Sequence, residues 1–446
     1  MKSMSDLKQF PEVSLPKFLK HSLTILRNPL PFHKANFLLH GDSFRLKIGF
    51  GKSVIFTRDA DFLSYVLQKN QKNYSKSPIQ TRDLAKYIGK GLLTAEGEKW
   101  QKQRKLIQPA FHKSQLILLL DTIYAIIQKE LDKIVVDKPI DIFPIFNDLA
   151  FQTVVKSLFS SEIKDEEIKK LQHTTEITQQ MLVKELRQPY LGWWFKLSGK
   201  IKFHIDLINE SRAILKRLVN QRKQNSSKQN DLLDMLLDAR YEDGSSMSEE
   251  QLLDEILILF AAGHETTSNA LTFTCELLAR NRESQSKILE EVQKIKNESS
   301  DIMHWLKNAN YTKLVIEEAM RLFPPAYFID RINKEADEFN GFSLPKGSNL
   351  LFSVYEIHRH PDFWQKPEEF IPERFLNENV KFSKNYYPFG AGQRMCIGNN
   401  FAMYEMILTI ITVVERFEIL EKKETIQIKP LITLKPFEAI LEFKNR

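Results

Sequence analysis

Hydrophobic alternation is the first readable pattern in this chain. From Phe44 to Phe56 apolar residues recur at alternate positions on either side of Gly49-Phe50-Gly51, as expected for two half-buried strands joined by a turn. From about Asp59 to Arg280 the apolar spacing lengthens to three and four, which predicts helices. The polar run from Arg222 to Asp231 reads as an exposed loop, and Gly244 in Glu242-Asp243-Gly244-Ser245 marks a turn. Ser248, with Gln251 three residues on, has the form of a capping box. The helix it opens reaches about Arg280, roughly 48 Å at 1.5 Å per residue. A second helix, Tyr311 to Phe323, must stop at Pro324-Pro325. A β-like stretch near Asn349 to Val354 and a last helix from about Asn400 to Arg416 complete the outline. No repeat or linker divides the chain. The expectation is a mainly α protein with small β-sheet regions, a single domain over 1–446. Its β-rich parts lie at about 40–60 and 325–356, its helical parts at about 60–323 and 357–420.

Composition narrows the picture. The chain has 446 residues, 42% of them hydrophobic, including 31 Phe, enough for a sizeable core with a pocket cut into it. Its formal charge is +7 without a basic block, so nucleic acid is not an expected partner. Only two cysteines, Cys275 and Cys396, are present. That excludes a disulfide framework and fits a reducing cytoplasm. No CxxC pair occurs and the ten His show no ligand spacing, which argues against structural zinc. Lys2, Asp6, Lys8, Glu12 and Lys17 break up the N-terminus, so no signal peptide is read. The strongest apolar stretches, Leu116 to Leu120 and Ile256 to Ala262, fall short of the roughly 20 residues a membrane span needs. A cytoplasmic protein with no membrane anchor is expected, although Phe- and Leu-rich segments near 18–39 could touch a membrane. Gly51-Lys52-Ser53 ends like a phosphate loop, but Leu46 stands where the first Gly belongs.

The chemistry concentrates around Cys396. A lone Cys is usually a small core residue, but here it sits in Phe389-Gly390-Ala391-Gly392-Gln393-Arg394-Met395-Cys396-Ile397-Gly398. Gly390, Gly392 and Gly398 allow sharp turns and close approach to a flat group. Arg394 sets a fixed cation two residues from the sulfur, suited to a carboxylate. Backbone N–H groups and a helix start after Gly398 would stabilise a thiolate, and Phe389 could shield it from water. The pattern resembles the haem-binding signature of the cytochrome P450 family. Six specified positions put a chance match below roughly one in ten thousand for this chain.

The resemblance implies the fold and the site. It spans roughly residues 40 to 440, with haem b (iron protoporphyrin IX) held between the long central helix and the Cys396 loop, which ligates the iron. Glu318-Ala319-Met320-Arg321 resembles the family's Glu-x-x-Arg helix, with Arg374 of Pro372-Glu373-Arg374-Phe375 completing a structural network. Ala262-Gly263-His264-Glu265-Thr266-Thr267 is locally a poor helix, which reads as a kink. In the family this stretch lies over the haem, so Ala262 and Gly263 are implied as cofactor contacts. Glu265 and Thr266 are implied as the proton-relaying pair. Ala262 stands where some members carry a Glu bonded to haem, so covalent haem is not expected. Trp100 and Arg104, at i,i+4, resemble the family's propionate-holding Trp-x-x-x-Arg, and Arg331 a further propionate ligand. His112 matches nothing and reads as an ordinary histidine.

The implied activity is a monooxygenase that uses O2 to hydroxylate a small organic substrate, or to dealkylate it where the attacked carbon bears an ether oxygen. Ferredoxin and ferredoxin reductase are the implied electron donors, with Lys99, Lys102 and Lys105 as a candidate docking face. A peroxide-driven peroxygenase or an isomerase is the alternative; a haem sensor fits less well, with no output domain in the chain. The family analogy puts the pocket near 75–93, 180–205, 261–266 and 326–329. Trp193, Trp194, Phe195, Phe328 and Ile329 favour a hydrophobic substrate, whereas Gln80, Thr81, Arg82, Asp83 and Tyr87 leave a polar or sugar-like one open.

Overall fold

The early alternation folds into two antiparallel strands, with Phe44 directly opposite Phe56. Their rings stack with centroids 5.3 Å apart, and Phe37 meets Phe44 edge-on at 5.1 Å. Alternation thus places one aromatic from each strand on a shared inner face. The computed structural model describes residues 7–49, 52–160, 163–224, 228–422 and 425–446. Phe50 and Gly51 of the expected turn lie outside the described residues.

The chain forms two compact units. The first comprises Met1–Ser77, Leu314–Cys396 and Ile428–Lys435. Its six-stranded sheet contains β1 (Glu12–Val13), β2 (Ser43–Gly49), β3 (Lys52–Thr57), β4 (Tyr74–Ser75), β5 (Phe328–Asn333) and β6 (Asn349–Ser353), in the order β1-β2-β3-β6-β5-β4. The second comprises Pro78–Lys313, Ile397–Gln427 and Pro436–Arg446 and is mostly helical. The helices that matter below are α1 (Gly97–Ile107), α2 (Phe143–Phe159), α3 (Asp165–Arg187), α4 (Gly192–Leu197), α5 (Lys200–Gln224), α6 (Glu249–Ala279), α7 (Asn310–Leu322) and α8 (Asn399–Arg416). The long helix, its successor before Pro324 and the last helix therefore fall within a residue or two of the expected bounds. Among the described residues no single helix is long and apolar enough to span a membrane.

Half of the expected capping box is made. Ser248 Oγ accepts the Gln251 N–H at 3.2 Å, satisfying one orphan donor of α6. The Gln251 side chain does not return the bond; it donates to Lys90 O at 3.2 Å and to Glu255 Oε1 at 2.8 Å. This belongs to a strap on the loop before α1. Lys90 N–H donates to Asp254 Oδ2 and Leu92 N–H to Glu255 Oε2, both at 2.8 Å. Arg212 on α5 neutralises Asp254 at 2.5 Å. Gly89 has φ +83° and no room for a Cβ, which would sit 2.2 Å from Asp254 Oδ1.

The two ends of the run from Arg222 to Asp231 correct the sequence reading. Arg222 is buried, still on α5, and its guanidinium meets Asp231 in a bidentate pair at 2.7 and 2.9 Å. It also reaches Asp234 at 2.9 Å. Asp231 in turn caps the next helix by accepting Asp234 N–H at 3.1 Å. The residues between, Lys223, Gln224 and Lys228 to Asn230, are exposed as expected. Residues 225–227 lie outside the described residues.

In the first unit the C-terminal turns of α7 carry the Glu318–Arg321 pair, and no part of Arg321 is exposed. Its Nε donates to Glu318 Oε2 at 2.7 Å and Nη2 to Glu318 Oε1 at 2.9 Å. The remaining donors reach three carbonyls: His358 O at 2.9 Å, Pro367 O at 2.8 Å and Glu369 O at 3.0 Å. All five guanidinium N–H groups are therefore placed. Glu318 Oε1 also accepts from Ile371 N at 2.9 Å and from Arg374 at 3.3 Å, so the expected Glu-Arg-Arg network is present.

Two outcomes follow from these burials. Arg321→Met should lower the unfolding free energy by about 3–5 kcal/mol, since it strands a buried carboxylate; Glu318→Leu in the same chain should recover part of the loss. Urea denaturation of the wild type and the two variants measures this. Burial, opposed by hydrogen bonds from Leu92 and Gln251, raises Glu255 from 4.5 to about 7. The folded state then holds a proton the unfolded chain has lost, so stability falls as pH rises from 4.5 to about 7. Glu255→Gln should flatten that slope by about 3 kcal/mol across the window, read as Tm against pH.

Candidate functional site

Cys396 ends a loop in the first unit that hydrogen bonds and glycines shape together. Its own N–H donates to Phe389 O at 2.9 Å, closing the segment on itself. Inside that closure Gly390 N–H reaches Tyr387 O at 3.2 Å and Met395 N–H reaches Gly392 O at 3.1 Å. Gly390 and Gly392 sit at φ +70° and +69°, a left-handed backbone that disfavours side chains. At Gly392 the constraint is absolute, because a Cβ would lie 2.1 Å from Leu67 O. The loop therefore passes flush against the Leu67 backbone and presents Cys396 exposed. Cys275 contrasts with it: fully buried on α6, its thiol is pushed far up by burial, and it is inert.

The loop is anchored from behind. Burial, then the Arg321 and Arg359 charges, hold His358 down to about 3, so its ring is neutral. Nε2 accepts the Tyr387 N–H at 2.8 Å, two residues before Phe389. Tyr386 OH donates to Glu317 Oε2 at 2.6 Å. None of His358, Tyr386 or Glu317 stood out in the sequence. His358 and Glu317 belong to no motif, and only burial identifies them. Arg394 lies in the short turn Gly392–Arg394 and Arg331 on β5, opposite Leu350 of β6. Arg331 is nearly buried, and its Nη1 donates to Asp330 O at 2.7 Å. The first unit thus holds Cys396, Phe389, Gly390, Arg394 and Arg331.

The second unit holds Trp100, Arg104, Ala262, Gly263, Glu265, Thr266 and Gly398. Trp100 is buried on α1, with Arg104 one turn on, half-buried and donating to Gln108 Oε1 at 3.1 Å. Gly398 is the N-cap of α8. On α6, Ala262 is exposed and Ala261, Gly263 and Thr266 half-buried, whereas the turns before and after are buried. This is a window of small residues in an otherwise enclosed helix. Thr266 Oγ1 donates to Ala262 O at 2.8 Å, which leaves its lone pairs as acceptors. Glu265 beside it is buried. The helix α6 runs through this stretch without interruption. Gly263 is explained by packing, because a Cβ would lie 2.8 Å from Val154 Cγ2 of α2. Its bare face meets a neighbouring helix.

Other expectations divide. Trp193 and Trp194 face solvent and only Phe195 is buried, so the tryptophans do not line an interior pocket. Tyr87 is buried, its OH donating to Glu185 Oε2 at 2.6 Å, and Arg82 pairs with Asp83 at 2.8 Å. Lys99, Lys102 and Lys105 are exposed, with Lys105 paired to Glu242. His112 is an exposed surface residue.

The donor set fits a haem. Among the described residues no cluster of three or more His, Cys, Asp or Glu is placed to hold a bare metal ion. One exposed thiol on a glycine-shaped loop suits an iron whose equatorial positions a macrocycle fills. Arg331 and Arg394 offer cations for that macrocycle's carboxylates.

Comparison with known proteins gives the same answer independently. The cytochrome P450 family model matches residues 13–443. Cytochrome P450 4A12 of Rattus norvegicus is 31% identical over 391 residues, covering 81% of this chain and 75% of the relative. Cyclooctat-9-en-7-ol 5-monooxygenase of Streptomyces melanosporofaciens is 28% identical over 407 residues, 90% of this chain and 87% of the relative. The crystal structure of a cytochrome P450DA mutant heme domain superposes with a TM-score of 0.85 at 21% identity, over 99% of this chain and 98% of that one. The mainly helical fold with small sheets is therefore the P450 fold, and the chain belongs to the cytochrome P450 family.

Proposed function

We propose that this protein is a haem-thiolate monooxygenase that hydroxylates or O-dealkylates a small organic substrate, with Cys396 as the iron ligand and electrons from a ferredoxin and its reductase. One observation carries the reading: Cys396 is held exposed at the end of a loop closed by its own N–H on Phe389 O. The monooxygenase name of the Streptomyces relative supports the reaction class. When bound, the haem supplies dioxygen activation and the transfer of one oxygen atom into a C–H bond.

The chain's own residues do the rest. The Cys396 backbone N–H, spent on Phe389 O, fixes the direction of the side chain. Arg394, Arg331, Arg104 and Trp100 would hold the haem's carboxylates through charge-assisted hydrogen bonds. Ala262 keeps one face of α6 low enough for a flat ring to lie against it. Thr266, tied to Ala262 O, presents its oxygen as an acceptor at a fixed place, and Glu265 delivers protons to it. A hydrophobic substrate is favoured by Phe328 and Ile329, both only half-buried on β5. Lys99, Lys102 and Lys105 form an exposed basic face on α1 for an acidic electron donor.

Cys396 is tested by the reduced protein with carbon monoxide. The red-shifted Soret band of thiolate ligation is expected, and Cys396→His should abolish it while the protein still folds. A normal band in that variant ends the assignment. The relay is tested by Glu265→Gln and Thr266→Val, each expected to cut reductase-driven turnover by about 10²-fold or more without altering the band. Turnover with peroxide but none with any reductase system would favour the peroxygenase reading instead.

A further inference from the structure

In the first unit the helix Leu30–His40 buries Leu30, Phe32, His33, Asn36 and Phe37. Asn36 is paired on both its oxygen and its nitrogen: it accepts from Lys17 Nζ at 3.1 Å and donates to Phe32 O at 2.7 Å. His33 is different. It is 4% exposed, and its buried Nδ1 meets no hydrogen-bond partner among the described residues. Aromatic rings stand around it, with centroids at 4.6 Å for Phe56 of β3, 5.3 Å for Phe328 of β5 and 6.1 Å for Phe32. Burial pushes the imidazole down to about 3, so the ring is neutral. Packing does not call for an imidazole here. One turn to either side, Leu30 packs with Tyr327 and Leu434, and Phe37 with Phe44 and Phe56. A Phe or Leu at position 33 would join these clusters without stranding a nitrogen. Nearly all buried polar atoms in folded proteins have a partner. An exception inside an aromatic enclosure points to a group that the chain itself does not supply.

We propose that His33 is a specificity-determining residue, whose Nδ1 hydrogen-bonds a hydroxyl group on an otherwise apolar substrate. The proposal rests on the monooxygenase reading and on Phe328 as a substrate contact. Phe328 links the two: its ring is half-buried on β5 and meets His33 edge-on. A neutral imidazole presents either an N–H or a lone pair at Nδ1, according to its tautomer. A hydroxyl both donates and accepts, so it satisfies either form. A carboxylate or an ammonium fits poorly, because a neutral ring among phenylalanines offers no opposite charge for the hydration it would lose. Phe32, Phe56 and Phe328 suit the hydrocarbon part, and the one polar atom among them fixes its orientation.

Paired ligands test this on the holoenzyme: farnesol against farnesene, and dodecan-1-ol against dodecane, each titrated by its Soret shift. Removing the hydroxyl and removing the imidazole form a cycle. The preference for each alcohol over its hydrocarbon should be about tenfold greater in the wild type than in His33→Phe. His33→Asn, whose amide reaches the place of Nδ1, should restore most of that difference. His33→Phe should melt no lower than the wild type, since it removes an unpaired buried nitrogen. A second arm does not depend on the haem spectrum. In holoenzyme labelled with 15N-histidine, the His33 resonances, identified by their loss in His33→Asn, should move further with each alcohol than with its hydrocarbon. Equal preference in the wild type and His33→Phe, or His33 resonances that neither alcohol moves, overturns the proposal. A Soret response to the same ligands would then leave the monooxygenase reading standing. Movement of the His33 resonances with no Soret response to any ligand would support the hydroxyl contact and count against that reading instead.

Discussion

The guanidinium of Arg321 has no contact with water, and everything around the Cys396 loop is arranged to make that tolerable. An ion of this size loses several kcal/mol of hydration on burial, so each of its five donors needs an acceptor at good distance. One carboxylate, Glu318, takes two of them; the other three draw His358, Pro367 and Glu369 carbonyls toward a single point. Three stretches of irregular backbone are thereby fixed without regular secondary structure. His358 carries the constraint onward. Burial and the nearby guanidinium charges keep it neutral, and only a neutral ring can accept the Tyr387 N–H. A protonated His358 would leave that amide facing a donor, two residues before the loop that carries the cysteine. Burial, aided by the buried cation, thus keeps the histidine neutral, and the histidine holds the loop.

How much of this was legible depends on whether a feature is local. Periodicity reports which face of an element is apolar, and the bounds of α6, α7 and α8 came out within a residue or two. A spaced signature such as Phe389 to Gly398 is also local, and so was its meaning. Partnership across distance is not. Arg222 and Asp231 read as a solvated loop because nothing in the letters says that a polar residue has found its counterion. Gly263 was legible as a helix weakness, yet the reason for it is the Val154 side chain on another helix. The aromatic run at 193–195 was read as part of the pocket by family analogy. Hydrophobic residues inside is a one-way rule, and here Phe195 follows it while its two neighbours do not.

The long helix α6 meets three different demands along one stretch of backbone. Its first turns are electrostatic, with Asp254 and Glu255 strapping the loop before α1. Its middle is sparse, with Ala262 open, Gly263 bare toward α2 and Thr266 bonded back to the helix. Its last turns, from Thr267 to Ala279, are almost wholly buried. Local propensity is poorest in the middle, and that is also where the implied chemistry sits. Such conflict between a residue's preference and its place is expected at functional sites. The well-packed ends supply the stability that lets the middle be built for something other than helix formation.

The same reasoning separates the two kinds of exposed side chain in this protein. Exposing a single Leu or Phe is ordinary, since much of any folded surface is apolar. Exposing two adjacent tryptophans, a tyrosine, a leucine and a phenylalanine together, over a run with no acidic residue, forgoes hydrophobic stabilisation that ordinary polar residues would not need. Nothing local compels it. α4 is anchored by Phe195 alone, and its outward positions are free of any packing requirement.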